Sequence, residues 1–418
     1  GNIQMSAAIL FSGSSPRKVF RMFSVFNIAH ICSRTFSRHQ SSYLCPAIRS
    51  VWTDKQNLML NEIKSRDSGL VLGGDGRADS PGHSAKYGSY AMVDLHTNNV
   101  IDVQLVQSNE VKSSYHMELE GLQRSMAFLA DNDVTVSRLV TDRHAQVAKF
   151  MRDNYYEVDH RYDVWHIGKS VSKKLDKAAK YADCGVISEW TKSVINHLYW
   201  SAGSTVEGTG AVIVAKWQSV VNHIHNVHTG HDKLFPSCQH ERLDRSRRIK
   251  WIKPSTKASD KIEAIVLAKT LQRDIAKLSP AEQTFPVEAY HSVINNFAPK
   301  MLVFSYHGMY CRLLLAALHY NENVQRQQAT TRTGAPRYSI KFPKFKKGGF
   351  SVRKVRCDST FAYVEKLLLA VSDLCGRTDN IVDNIPCLET PPPLCAAYQH
   401  PNKQEDCKTC KQVFSIMH

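Results

Sequence analysis

The feature that most narrows the fold is a change of hydrophobic period between residues 69 and 166. Three short apolar runs come first. Leu70–Gly74 ends in Gly73-Gly74-Asp75-Gly76, Tyr87–Leu95 alternates loosely, and Val100–Val106 alternates again after the Thr97-Asn98-Asn99 turn. Tight links between such runs predict a three-strand meander. A helix is expected over about Tyr115–Asn132, where Met117, Leu119, Leu122, Met126 and Leu129 recur at helical spacing. Val134–Thr141 reads as a fourth strand, Ala145–Asn154 as a helix and His160–Trp165 as a fifth strand. The order βββ-α-β-α-β predicts an α/β fold in which helices pack on a mixed sheet.

The flanks read differently. Residues 1–53 hold six Lys/Arg and no acid. Ala7–Phe11, Arg17–Phe26 (opened by Ser15-Pro16) and Ser33–Tyr43 read as three short helices, followed by a helical linker over about Val51–Ser65. Two roles suit this segment. It is either a helix-turn-helix unit offering Arg17, Lys18, Arg34 and Arg38 to DNA, or an ordinary helical cap on the next domain. Gly168 to about Ser279 reads as mostly helical, further helices are expected near Pro286 and over Met309–Asn321, and the tail beyond Thr330 is Pro/Gly/Lys-rich and irregular. The expected division is 1–66 (N-terminal helices), 67–169 (first part of the sheet domain), 170–282 (helical domain), 283–330 (closing helices) and 331–418 (basic tail). No apolar run approaches the ~18–20 residues of a membrane span. The 11 cysteines, odd in number and scattered, suit reduced thiols of a cytosolic or nuclear protein. No secretory signal opens the chain, and its start at Gly1-Asn2 leads us to expect a fragment.

Three acids sit where chain geometry makes them useful. Asp75 ends the first strand among glycines, Asp142 follows the fourth in Thr141-Asp142-Arg143-His144, and Glu288 lies in the first turn of a late helix. If the first and fourth strands are neighbours, both aspartates emerge at one edge, and a helix across that edge adds Glu288. Such an oxygen-rich set suits Mg²⁺ or Mn²⁺ and phosphodiester chemistry. Asp79 is an alternative to Asp75 as first ligand. Each acid alone also reads as a solvated turn or a helix N-terminal charge.

These segments resemble DDE transposases with an RNase H-like catalytic domain, most closely the eukaryotic Kolobok-like elements that often carry an N-terminal THAP zinc finger, and more distantly Mutator-type and bacterial insertion-sequence transposases. The resemblance is carried by residues 73–103, 139–154, 160–169, 287–300 and 311–323, and covers roughly residues 1–370. It implies an RNase H-like sheet (βββ-α-β-α-β-α) interrupted by a large helical insertion, with Asp75, Asp142 and Glu288 as the metal-binding acids. It implies that Asp163 and His166 match an Asp-x-x-His motif beside the active site, His166 orienting the scissile phosphate or moving a proton. On the residues alone, Asp163 and His166 equally suit a hydrogen-bonded brace at the sheet edge. His291 and Asn295 fall on the face of Glu288 and are candidates to support it. The implied activity is metal-dependent DNA cleavage and strand transfer, in an active or a domesticated protein, in the nucleus, acting as a homo-oligomer. A nuclease that does not join strands and an idle DNA-binding protein are the alternatives.

The formal charge of +16 points to a polyanionic partner. Beyond the first 53 residues it concentrates in two places. Arg242, Arg245, Arg247, Arg248, Lys250, Lys253 and Lys257 surround Trp251, a candidate phosphate-binding stripe. Arg332–Arg356, with Lys344, Lys346 and Lys347, holds nine Lys/Arg and no acid, suiting flanking DNA or a nuclear address. Two patterns suit structural Zn²⁺. One is His223, His228, Cys238 and His240, with His225 and His231 as rivals. The other is the weaker Cys407-x-x-Cys410 with Cys395, His400 and His418 around it.

Overall fold

A computed structural model describes residues 1–80, 85–205, 209–241, 249–280, 282–346, 348–376 and 389–395. Among them no helix is long and apolar enough to cross a membrane. The chain starts with α1 (Asn2–Phe11), α2 (Pro16–Val25) and α3 (Ser33–His39). The expected break after Tyr43 is absent. A π-helical turn, Gln40–Leu44, joins α3 directly to α4 (Cys45–Lys64). Pro46 explains that turn. A proline inside a helix has no N–H to give and crowds the carbonyl four residues back, and a wider turn just before it relieves both. Residues 33–64 are therefore one helical rod rather than a helix and a linker.

The strands are β1 (Leu70–Ala78), β2 (Tyr87–Asp94), β3 (Asn99–Gln107), β4 (Val136–Thr141) and β5 (Asp159–Tyr162), in the spatial order β3-β2-β1-β4-β5. The meander pairs antiparallel, and β1–β4 and β4–β5 pair parallel. The α/β reading with a mixed sheet therefore holds. Two strand ends differ from expectation. β1 runs on through Asp75 to Ala78, because Gly73–Ala78 keep their pairing with Val93–Gly88. β5 stops at Tyr162, because the Asp163 carboxylate accepts the Trp165 N–H (2.8 Å) and starts a helix there.

Side chains alternate between two cores, as a period of two requires. Leu72, Met92, Ile101 and Leu139 face α5 (His116–Asp131) and α6 (Ala145–Asn154), where Leu122, Met126, Val147 and Met151 meet them. Ala91, Val93, Val103 and Leu105 face the opposite way, into a core shared with the N-terminal helices and the later helices. That placement packs α1–α3 onto the sheet domain.

After β5 come α7 (Val164–Ala178), α8 (Ile187–Gly203), α9 (Gly210–His223), α10 (Lys257–Val266) and α11 (Lys269–Ile275). They bury their own apolar cluster around Trp217, Leu198, Ile213 and Ile262. The chain returns beside its point of departure, where Tyr162 N–H donates to Lys277 O (2.7 Å) and Ser279 N–H to Tyr162 O (3.0 Å). Then α12 (Phe285–Phe297) and α13 (Tyr306–Asn323) close the second face of the sheet. The tail is more regular than its composition suggests. An exposed hairpin, β6 (Tyr338–Lys341) and β7 (Ser351–Lys354), precedes α14 (Ala362–Gly376), whose Tyr363, Leu367 and Val371 dock into the core.

Candidate metal centre

The Gly-Gly-Asp-Gly run owes its composition to what surrounds β1. A Cβ on Gly74 would lie 2.3 Å from the Tyr90 hydroxyl oxygen, and one on Gly76 would lie 2.9 Å from Glu118 Cγ. Glycine leaves those two spaces open, one for a buried phenol and one for a carboxylate reaching over from α5. Asp75 alternates to the other side, where His291 Nδ1 approaches its Oδ2 at 3.6 Å. The parallel register pairs Gly73 with Val140. Carried on two residues, it sets Asp75 level with Asp142.

One oxygen from each of Asp75, Glu118 and Asp142 lies within 4.8 Å of the others. Asp75 and Asp142 meet at one sheet edge, as their strand positions predict, and Glu118, which the sequence did not single out, joins them. Its signal was an acid in the sheet-facing stripe of an amphipathic helix, three and four residues before the buried Gly121 and Leu122. Glu288, expected as the third ligand, lies outside that set. It stands at the rim, its side chain 45% exposed, with His166 Nε2 3.8 Å from its Oε1. Asp75, and not Asp79, joins that cluster. The Asp79 carboxylate accepts Lys86 N–H (3.1 Å), and its carbonyl accepts Met301 N–H.

Electrostatics mark Asp75 and Glu118 as lacking a compensating cation. Burial, followed by the charge of Asp142, raises the Asp75 carboxyl to about 7, with Glu288 and Asp163 adding and the Gly76 N–H opposing. Burial, then Asp142 and Asp75, raises Glu118 to about 8. Asp142 Oδ1 and the Tyr90 hydroxyl are both buried with no hydrogen-bond partner. An orphaned carboxylate oxygen facing two more carboxylates is what a divalent cation would satisfy, and an all-oxygen donor set suits Mg²⁺ or Mn²⁺. His291 does not neutralise Asp75 despite its approach. Burial, followed by the charges of Arg77 and Lys300, lowers it to about 3, so it is a neutral imidazole.

Asp163 needs a correction of role. It is 3% exposed and does not bond His166. Besides capping α7, it accepts the backbone N–H of Thr284 (3.0 Å) and the Thr284 hydroxyl. Its oxygens are thus committed to fixing the start of α12, which carries Glu288. Asn295, the other expected supporter, accepts from Arg77 Nη2 (2.8 Å). Arg77 is a buried cation whose Nε and Nη1 remain unpartnered. An open cleft of about 380 Å³ adjoins the acids, lined by Gly76, Arg77, Glu288, His291, Asn295 and Lys300 among others.

The expected DNA contacts divide. Arg17, Lys18, Arg34 and Arg38 are all exposed, on α2 and α3. Lys344 and Lys346 are exposed beside the β6–β7 hairpin. Lys250 is exposed but paired with Glu189 (2.7 Å). Trp251 is half-buried against Trp190, His223 and His228, so it is a packing residue rather than an open stacking platform. Arg242, Arg245, Arg247, Arg248 and Lys347 lie outside the described residues, as do His400, Cys407, Cys410 and His418. The structure does bring His223, His228, Cys238 and His240 together, one ligand atom of each lying within 4.8 Å of the rest.

No protein-family model matches the chain, and no curated protein matches it.

Proposed function

We propose that this chain is a DDE-type transposase with an RNase H-like core, in which α7–α11 form the helical insertion. The reading rests on one observation: Asp75 and Asp142 meet, with Glu118, where adjacent parallel strands of a β3-β2-β1-β4-β5 sheet come level, and they leave a buried carboxylate oxygen unpaired. Asp75, Asp142 and Glu118 would hold Mg²⁺ or Mn²⁺. When bound, such a cation lowers the pKa of an attacking hydroxyl and steadies charge on the phosphate. The chain's own residues supply the rest. Arg77 and Lys300 line the adjoining cleft and offer positive charge to a scissile phosphate. Glu288, beside His166 and exposed at the rim, is placed to take the proton of the attacking water or 3′-hydroxyl. Asp163 holds α12 so that Glu288 keeps that position. DNA is the partner in this reading, approached by the cations of α2 and α3 and by the basic hairpin. A nuclear location and a homo-oligomeric assembly belong to the same proposal.

A nuclease would use the same acids, so the test must separate cutting from joining. The full chain is incubated with Mg²⁺ or Mn²⁺, supercoiled plasmid and labelled duplexes taken from the flanks of its own coding sequence. Label joined to plasmid, lost in Asp142→Asn, supports transposition. Nicks without joined label support the nuclease. If neither appears and Asp142→Asn behaves as the parent, the catalytic reading fails.

A further inference from the structure

The second cluster lies on the helical unit, away from the acids. His223 ends α9, and His228, Cys238 and His240 follow on the loop that leads toward Trp251. The tautomers can be read from fixed acceptors. His228 Nε2 meets the Asn226 side-chain oxygen (3.1 Å), and His240 Nδ1 meets the Glu241 carbonyl (2.7 Å). A carbonyl oxygen only accepts, so each ring carries its N–H on that nitrogen. The nitrogens left bare are His228 Nδ1 and His240 Nε2, and they face each other at 3.2 Å. Two lone pairs at that distance repel unless something positive lies between them. Cys238 Sγ lies 3.5 Å from His223 Nδ1. Tetrahedral zinc, with Zn–N about 2.0 Å and Zn–S about 2.3 Å, sets its ligand atoms roughly 3.3–3.6 Å apart. These two spacings match that geometry, and the remaining ones lie within 4.8 Å.

The rival histidines are otherwise engaged. His225 Nδ1 donates to Ile252 O (2.7 Å), and its Nε2 accepts from the Ser259 hydroxyl (3.1 Å). His231 Nδ1 accepts from Asn222 Nδ2 (3.0 Å), which leaves its Nε2–H directed at Cys238 Sγ (3.3 Å). It is a donor to the sulfur rather than a ligand. With Asn226 and Glu241, the cluster has the outer hydrogen bonds that fix ligand orientation in metal sites. Asn226 sits at φ 61°, a left-handed conformation that glycine adopts without strain.

We infer that His223 Nδ1, His228 Nδ1, Cys238 Sγ and His240 Nε2 form a structural Zn²⁺ site. The site is separate from the carboxylate centre and stands whether or not that centre is catalytic. All four positions are filled by protein, so it has no open position for substrate chemistry. It ties the C-terminus of α9 to the loop over residues 228–240. It also backs Trp251, whose ring centroid lies 5.9 Å from His223 and 5.8 Å from His228. The class of ligand is a borderline-soft divalent metal, and the thiolate disfavours Mg²⁺ and Ca²⁺.

The test uses the full chain carrying Cys407→Ser, Cys410→Ser and Asp142→Asn, so that neither the tail cysteines nor the acids contribute. After reconstitution and dialysis, the folded protein retains about one zinc ion per chain. Replacing zinc with Co²⁺ gives the intense visible bands of a tetrahedral site and a near-ultraviolet thiolate band. Cys238→Ser removes the thiolate band. Asn226→Gly, which keeps the backbone conformation and deletes the acceptor, weakens zinc ~10–100-fold. A folded parent protein that retains no zinc overturns the inference. So does a Cys238→Ser protein with unchanged zinc content and cobalt spectrum.

Discussion

Glu118→Gln gives the sharpest test of the carboxylate centre, because the substitution keeps shape and deletes only charge. In the metal-free protein, Glu118 titrates at about 8 instead of its ordinary 4.5. Below 4.5 both folded and unfolded chains hold this proton, so it contributes nothing. As pH rises from 4.5 to about 8 the unfolded chain releases it and the folded chain does not, and stability falls. Above 8 the loss is complete. At ~1.4 kcal/mol per pH unit the ceiling is about 5 kcal/mol. Coulomb's law agrees in size: two unit charges no more than 4.8 Å apart repel by at least about 3.5 kcal/mol at an effective dielectric of ~20. Urea unfolding in chelator from pH 5 to pH 9 should show parent stability declining by a few kcal/mol, and a flatter profile in Glu118→Gln. At pH 8 without metal the variant should be the more stable protein. Adding millimolar Mg²⁺ should reverse the order, since the parent gains binding energy and the variant has lost a ligand. Parallel pH profiles would refute the convergence of the three acids. Separate profiles with no response to Mg²⁺ or Mn²⁺ would leave the acids together and refute their role as a metal site.

Other outcomes follow from the same geometry. Asp163→Ala should cost about 2–4 kcal/mol in urea unfolding, because it removes a helix cap and leaves the Trp165 and Thr284 N–H groups unpaired. Gly74→Ala should destabilise through the Tyr90 hydroxyl, and adding Tyr90→Phe should recover part of the loss in a double-mutant cycle. Arg34→Ala with Arg38→Ala should weaken duplex binding and flatten the slope of log affinity against log salt by up to about 2, at ~0.9 per phosphate contact. A slope equal to the parent's would exclude α3 from the DNA surface.

The strands were legible because alternation and tight turns leave few other readings, and Asp75 and Asp142 came with them once β1 and β4 proved adjacent. Glu118 was hidden by an ambiguity of chemistry. An acid in the first turn of a helix is ordinary dipole compensation, and only the open space over Gly76 shows that this one turns inward. Glu288 was legible as a residue near the centre but not as a rim residue, since distance along a helix from the sheet edge is a tertiary quantity. The Ser33–Lys64 rod was obscured by Pro46, whose accommodation in a π turn leaves no pattern in hydrophobic spacing. The hairpin and α14 were masked by the lysines, glycines and prolines around them, although Tyr363, Leu367 and Val371 recur every fourth residue. The four histidine and cysteine positions singled out from six are the ones the fold gathers, but sequence spacing could not say which ring nitrogens were free.

The hydrogen bonds between Tyr162, Lys277 and Ser279 have a bearing on how such a chain could arise. The departure from the sheet and the return to it are one backbone contact apart. To the sheet, the intervening hundred or so residues are a single closed loop, and the entropy of closing a loop grows only with the logarithm of its length. A stretch attached in this way can lengthen, shrink or be replaced by a short turn with little penalty to the strands on either side. The sheet and the helical unit are therefore free to change at different rates, one constrained by the meeting of its acids and the other by whatever surface it presents.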